Sequence, residues 1–189
     1  TWELADGTLL RAGLSEANHE GVYVDLAPSG FTSTPIVLTQ TQTASDSAAV
    51  VTRQRNVTLS GFHVRLQEEE GADGSHDLQQ VGFIALMPGS GTSGVPFSAA
   101  RFQDAVNGDF RRIDFAQSFP ETPLVLAGTQ TLQEFDPGAL RVRSLTPTSV
   151  QMRFQEERSH DEETEHALED LGLLAIMPGF LQAQSVTPI

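Results

Sequence analysis

Gly61-Phe-His-Val-Arg-Leu-Gln-Glu-Glu69 returns in pattern as Ser149-Val-Gln-Met-Arg-Phe-Gln-Glu-Glu157. In the first segment Phe62, Val64 and Leu66 alternate with His63, Arg65 and Gln67. In the second Val150, Met152 and Phe154 alternate with Gln151, Arg153 and Gln155. A period of two sends successive side chains to opposite faces, so each segment reads as a half-buried β-strand. One strand written twice decides the architecture, because an internal repeat means two copies of one structural unit.

The likeness extends outward from these strands. Thr34-Pro-Ile-Val-Leu38 matches Thr122-Pro-Leu-Val-Leu126, and Gln42-Thr43 matches Gln130-Thr131. Arg53-Gln-Arg55-Asn-Val-Thr58 matches Arg141-Val-Arg143-Ser-Leu-Thr146, and Ile84-Ala-Leu-Met-Pro-Gly89 matches Leu174-Ala-Ile-Met-Pro-Gly179. The second copy gains two residues after its Glu-Glu pair, so His76 aligns with His166. Short apolar runs separated by Gly, Asp, Asn and Ser clusters predict an all-β fold of two tandem antiparallel β-sandwich domains.

The expected domains are residues 1–98, with an N-terminal extension, and 99–189, with a C-terminal tail. Each is large enough to bury its own core. Residues 81–87 and 171–177 are the most continuously apolar and read as central strands. Residues 88–100 read as a linker, and 162–170 as a turn of helix. Residues 1–20 and 181–189 fall outside the repeated core; extended tails of this kind suit strand exchange between subunits. Arg111-Arg-Ile-Asp-Phe115 resembles Gly21-Val-Tyr-Val-Asp25 and marks an early strand of the second unit.

With 25 acidic and 11 basic residues the chain carries a net charge of −14 and a pI near 4.5. That balance argues against nucleic acid, which needs a basic stripe, and against an anionic membrane surface. Every basic residue is arginine, and neither lysine nor cysteine occurs. Disulfides, thiolate metal sites and lysine Schiff bases are therefore excluded. No apolar run reaches the length of a membrane span, so membrane insertion is not expected.

Two resemblances follow from these motifs. Phe31 with Thr34-Pro-Ile-Val37, then Asn56-Val-Thr-Leu-Ser-Gly-Phe62, then Val81-Gly-Phe-Ile-Ala85, resembles the H-type lectin pattern. That resemblance implies a six-stranded antiparallel β-sandwich, oligomer formation and binding of galactose-type sugars. The family's late-strand tryptophan is Phe83 in one copy and Leu173 in the other. A second resemblance is to repeats of large bacterial surface and secreted proteins, through Arg-x-Arg-Asn-x-Thr, Gly-Phe, Gln-Glu-Glu and a His-x-x-Glu before the last strand. It implies a secreted or cell-surface setting.

Candidate site residues come from the polar part of the repeat. Glu156, Glu157, Asp161, Glu163, His166 and Glu169 crowd one connection. So many carboxylates repel one another unless solvated or neutralised, and Ca²⁺, which takes six to eight oxygens, would neutralise them. His166 favours a transition metal or a hydrogen-bonded bridge between carboxylates. Copy one has Gln79 where Glu169 stands, so the fuller chemistry is expected in copy two. Arg53, Arg55, His63, Arg65, His76, Arg141, Arg143 and Arg153 form the candidate ligand-binding set. Their parities predict an arginine ladder facing carboxylates across neighbouring strands, or a polar platform for a sugar.

Gly89-Ser-Gly91-Thr-Ser-Gly94 spells a dinucleotide-binding fingerprint, but Val95-Pro-Phe97 follows where a helix should begin. No nucleophile elbow, cysteine or lysine is present, and an enzyme is not expected. The expected function is non-catalytic: an extracellular carbohydrate-binding or adhesion module with a glycan as partner. The alternative is a spacer or subunit of an extracellular assembly whose partner is a neighbouring protein subunit, including a homo-oligomer.

Overall fold

A computed structural model describes residues 1–187. Its strands in chain order are β1 (Trp2–Leu4), β2 (Leu9–Ala17), β3 (Val22–Asp25), β4 (Ile36–Thr41), β5 (Val50–Arg55), β6 (Gly61–Glu68), β7 (Gln79–Leu86), β8 (Gly89–Ser93), β9 (Val95–Val106), β10 (Arg111–Asp114), β11 (Leu124–Thr129), β12 (Gly138–Arg143), β13 (Ser149–Glu156), β14 (Glu169–Ile176) and β15 (Ala183–Ser185). The repeated segments of the opening are β6 and β13. Their apolar parity is buried throughout, with Phe62, Leu66 and Val150 at 0% exposure.

Each copy is an antiparallel β-sandwich. In the first, β2-β7-β4 lies over β3-β6-β5; in the second, β9-β14-β11 lies over β10-β13-β12. The strands read as central, β7 and β14, are indeed flanked on both sides. Phe62, Val64 and Leu66 meet Val81, Phe83 and Ala85 in the first core. Val150 and Met152 meet Leu171, Leu173 and Ala175 in the second. Alternation buries one face of each sheet, and that burial is the main force holding a sandwich together.

A third apolar cluster lies between the copies. Leu4, Ile36 and Leu86 pack against Phe97, Ala99 and Leu174, with Leu38 and Ile176 partly buried beside them. These are the outward parities of β4, β7, β9 and β14. The strands are apolar on both faces because one face fills the sandwich and the other fills the seam.

Three expectations are corrected. Residues 88–100 are not a linker: 89–93 and 95–106 form the β8–β9 hairpin, and β9 is the first strand of the second sandwich. The Gly- and Ser-rich composition masked a strand that turns at Gly94, whose φ is +83°. Nor do residues 1–20 lie outside the repeated core, since β2 occupies in the first sandwich the place of β9 in the second. Within the chain the two tails pair with each other, β1 with β15, Trp2 opposite Ser185. Residues 162–168 are irregular and Glu169 opens a strand, so the turn of helix is absent.

Candidate functional site

The same cluster is built twice, at the end of each sandwich. In copy one the His76 ring is fully buried, and its Nδ1 lies 2.8 Å from Glu68 Oε1 and 3.5 Å from Asp46 Oδ2. The Gln79 amide donates to His76 Nε2 at 2.6 Å. In copy two His166 Nδ1 lies 2.5 Å from Glu156 Oε1 and 3.7 Å from Glu134 Oε2, while Nε2 lies 3.3 Å from Glu169 Oε1. Both nitrogens of His166 thus face carboxylate oxygens, to which each can only donate; His76 instead accepts at Nε2 from an amide. Asp46 and Glu134 were missed from the sequence, although their spacing of 88 residues, the spacing of the repeat, marks them.

Arg53 of copy one enters the cluster of copy two. Its Nη2 donates to Glu169 Oε1 at 3.1 Å, with both side chains nearly inaccessible. Its Nη1 donates to the Asp136 carbonyl at 2.9 Å, and its guanidinium carbon lies 4.8 Å from the Phe154 ring centroid. The other neighbour of Phe154 is His166, stacked at 4.1 Å. Glu169 also accepts from the Thr131 hydroxyl and from the Gln133 N–H. A buried carboxylate is tolerated only when paired and hydrogen-bonded, and Glu169 is both. This explains the inequality of the copies. Among the described residues no arginine enters the His76 cluster, and a neutral glutamine stands there instead.

Burial pulls against the charged forms, and the hydrogen bonds decide the outcome. Burial would lower the His166 pKa, but its bonds to Glu169 and Glu156 leave it above the ordinary histidine value. Burial would raise Glu169; the bonds from His166, Thr131 and Gln133, with the Arg53 charge, hold it below the usual carboxylate range. Burial prevails at Glu156, which is raised. At the seam, a hydrogen bond to Asp136 raises Glu70 to about 7.

Of the six acidic-loop candidates, Glu156, His166 and Glu169 converge and the other three do not. Glu157 accepts from the Glu70 N–H of copy one at 2.6 Å and from Ser159. Asp161 and Glu163 are exposed and cap turns of their own loop. Among the described residues, the groups able to hold an ion with one atom each, within 4.8 Å of one another, are Asp46–Glu68–His76 and Glu134–Glu156–His166.

The arginine rows differ from expectation. Arg53 stands directly opposite Arg65, and Arg141 opposite Arg153, so like charges face one another across the strands. Glu68 and Glu156 do not supply the carboxylates expected on this face, because they have the opposite parity and point inward to the histidines; the carboxylate that meets Arg53 is Glu169, from the other copy. Glutamines take their place: Arg141 and Arg153 donate to Gln155 and Arg143 donates to Gln151. Arg143 also lies 3.9 Å from the Phe110 ring. Arg55, His63 and Arg65 line a cleft in copy one.

No family model matches the chain, and no solved structure matches it. Halomucin of Haloquadratum walsbyi is 30% identical over 178 residues, which is 93% of this chain and 2% of that protein. The chain thus spans a very small part of the relative it resembles.

Proposed function

We propose that the chain is a non-catalytic structural module of a larger extracellular surface protein, in which two sandwiches are locked into one rigid body. The observation that carries this reading is the buried Arg53–Glu169 pair between the copies. The residues that sequence alone offers for chemistry, His76, His166, Glu156 and Glu169, are satisfied by one another and by Arg53. The match to Halomucin, by its name a mucin, supports an extracellular setting, and the 2% coverage supports a module within a much longer chain.

The seam joins the outer face of β2-β7-β4 to the equivalent face of β9-β14-β11, but off register: Leu86 and its counterpart Ile176 both lie in it, whereas Ile36 and Leu38 enter it without theirs. An offset contact of this kind leaves part of the second copy's face unpaired. The seam residues Ile36, Leu38 and Arg53 of copy one have as counterparts Leu124, Leu126 and Arg141, all exposed. These lie ready for another sandwich, which favours a repeat in an extended assembly over a free-standing lectin.

Denaturant unfolding followed by tryptophan fluorescence and circular dichroism tests the rigid pair. Trp2 reports the seam strand β1, while circular dichroism reports both sandwiches. One coincident transition is expected, splitting in two for Arg53→Met. Two separate transitions in the parent chain would defeat the reading.

A second reading, cation stabilisation, is favoured by the convergence of Glu134, Glu156 and His166. One imidazole with two carboxylates suits Zn²⁺ better than oxygen-hungry Ca²⁺.

A further inference from the structure

Beyond the structural role, we propose that copy one carries a binding site for the carboxylate or sulfate group of an acidic saccharide, in the cleft between β3, β5 and β6. The cleft encloses about 190 Å³, and Tyr23, Arg53, Arg55, His63, Arg65 and Glu20 line it. Strand pairing assembles it, setting Arg53 opposite Arg65, Arg55 opposite His63, and Tyr23 opposite His63 on the other side.

A surplus of polar atoms with nothing to bind points to a ligand. Among the described residues, four buried side-chain nitrogens lack a hydrogen-bond partner: Arg53 Nε, His63 Nδ1, Arg65 Nε and Arg153 Nε. Three of the four belong to residues of this one cleft. Arg53 is 1% exposed, lines the cleft, and keeps its Nε unpartnered. A buried donor without a partner costs stability, and such a group in a folded protein calls for an explanation. An arginine Nε–H only donates, so the missing partner is an acceptor.

Charge identifies the acceptor. Neither Arg55 nor Arg65 has a carboxylate partner among the described residues, although the chain carries 25 acidic residues. Glu20, exposed at the rim, is the one acid lining the cleft. Like charges placed opposite one another across strands are destabilising unless something anionic lies between them. The arginine fork matches the geometry of a carboxylate or sulfate, and its bonds to oxyanions are among the strong ones.

Tyr23 supplies the remainder of the site. It is 47% exposed, its ring lies 5.2 Å from that of His63, and its hydroxyl is anchored on the Ser60 carbonyl. An anchored, half-exposed aromatic ring at the mouth of a cationic cleft offers a sugar ring an apolar face to lie against. The equivalent place in copy two is filled differently. There Arg143 and Arg153 lie over Phe110 and bond to glutamines.

The test is titration of the full chain at low salt with sodium glucuronate, glucose 6-sulfate and neutral glucose, followed by calorimetry and by the His63 and arginine side-chain NMR signals. Glucuronate or the sulfate ester should bind, with shifts at His63 and Arg55, and added salt should weaken binding. Which of the two binds assigns the anionic group. Arg55→Gln should weaken binding about tenfold or more, the order of one charge-assisted hydrogen bond, without changing the melting temperature. Arg143→Gln in copy two should leave it unchanged. Equal binding of glucose, binding undiminished in Arg55→Gln, or no shift with any of the three probes overturns the proposal.

Discussion

Arg53 reaches Glu169, 116 positions along the chain, across the seam between two sandwiches, and the pair is sealed from solvent. Breaking a buried ion pair on one side leaves an uncompensated charge, which costs about 3–5 kcal/mol. Arg53→Met and Glu169→Gln should each destabilise by that order in urea unfolding. The double variant should cost clearly less than the sum, since it removes both charges. Additive losses would show that the two side chains act separately.

The seam is tight enough to distinguish two equivalent glycines. A Cβ added at Gly172 would stand 2.6 Å from Gln130 Nε2 and 3.0 Å from Ile36 Cβ. Gln130 cannot yield, because it is fully buried and holds both the N–H and the carbonyl of Val37. At the counterpart, Gly82, the nearest atom is the amide nitrogen of Gln42 at 3.0 Å, on an exposed side chain free to move. Gly172→Ala should therefore cost about 1–3 kcal/mol, the usual range for overpacking, and Gly82→Ala much less. Chemical denaturation of the two variants side by side checks this.

How far the sequence alone led depended on the range of the signal. Period-two alternation at 62–67 and 150–155 placed β6 and β13 and their buried faces, because that pattern is local. The strands β2 and β9 escaped, since Leu9-Leu-Arg-Ala-Gly-Leu14 and Val95-Pro-Phe-Ser-Ala-Ala100 occupy equivalent positions with little likeness. The histidine with its Glu68 or Glu156 partner was legible as a recurring motif. Its inward parity was also readable, but the arginine row drew attention to the other face. The Gln79/Glu169 difference was visible as well. Its meaning was not, because the arginine that requires Glu169 comes from the other copy and no periodicity links them.

The Glu134–Glu156–His166 cluster carries a metal prediction. Zn²⁺ added to chelator-treated protein should raise the melting temperature, as any ligand of the folded state does. Glu134→Gln should remove most of that rise while leaving the metal-free melting temperature nearly unchanged, because Glu134 lies at the half-exposed side of the cluster. Calorimetry showing no heat with Zn²⁺ would end this reading.

Stability should fall as pH rises through neutrality, and the sign follows from linkage. His166 titrates near 6.5 when unfolded and higher when folded, so its contribution is complete below pH 6.5 and is lost as pH rises through the folded value. Glu156, raised by burial, and Glu70, raised to about 7 beside Asp136, act in the same direction, since the folded state holds their protons more tightly. Glu169 acts oppositely. Lowered by its hydrogen bonds and Arg53, it contributes fully above 4.5 and loses its effect as pH falls through its folded value. Glu134, Glu156, Glu169 and Arg53 all face His166, so its imidazolium lies between three carboxylates and one guanidinium. Melting temperatures in a chelating buffer should therefore be higher at about pH 6 than at about pH 8.5. His166→Gln should flatten that dependence, because glutamine keeps hydrogen-bonding capacity without titrating. A parent chain equally stable at both values, or a variant with the parent's slope, would place the proton elsewhere.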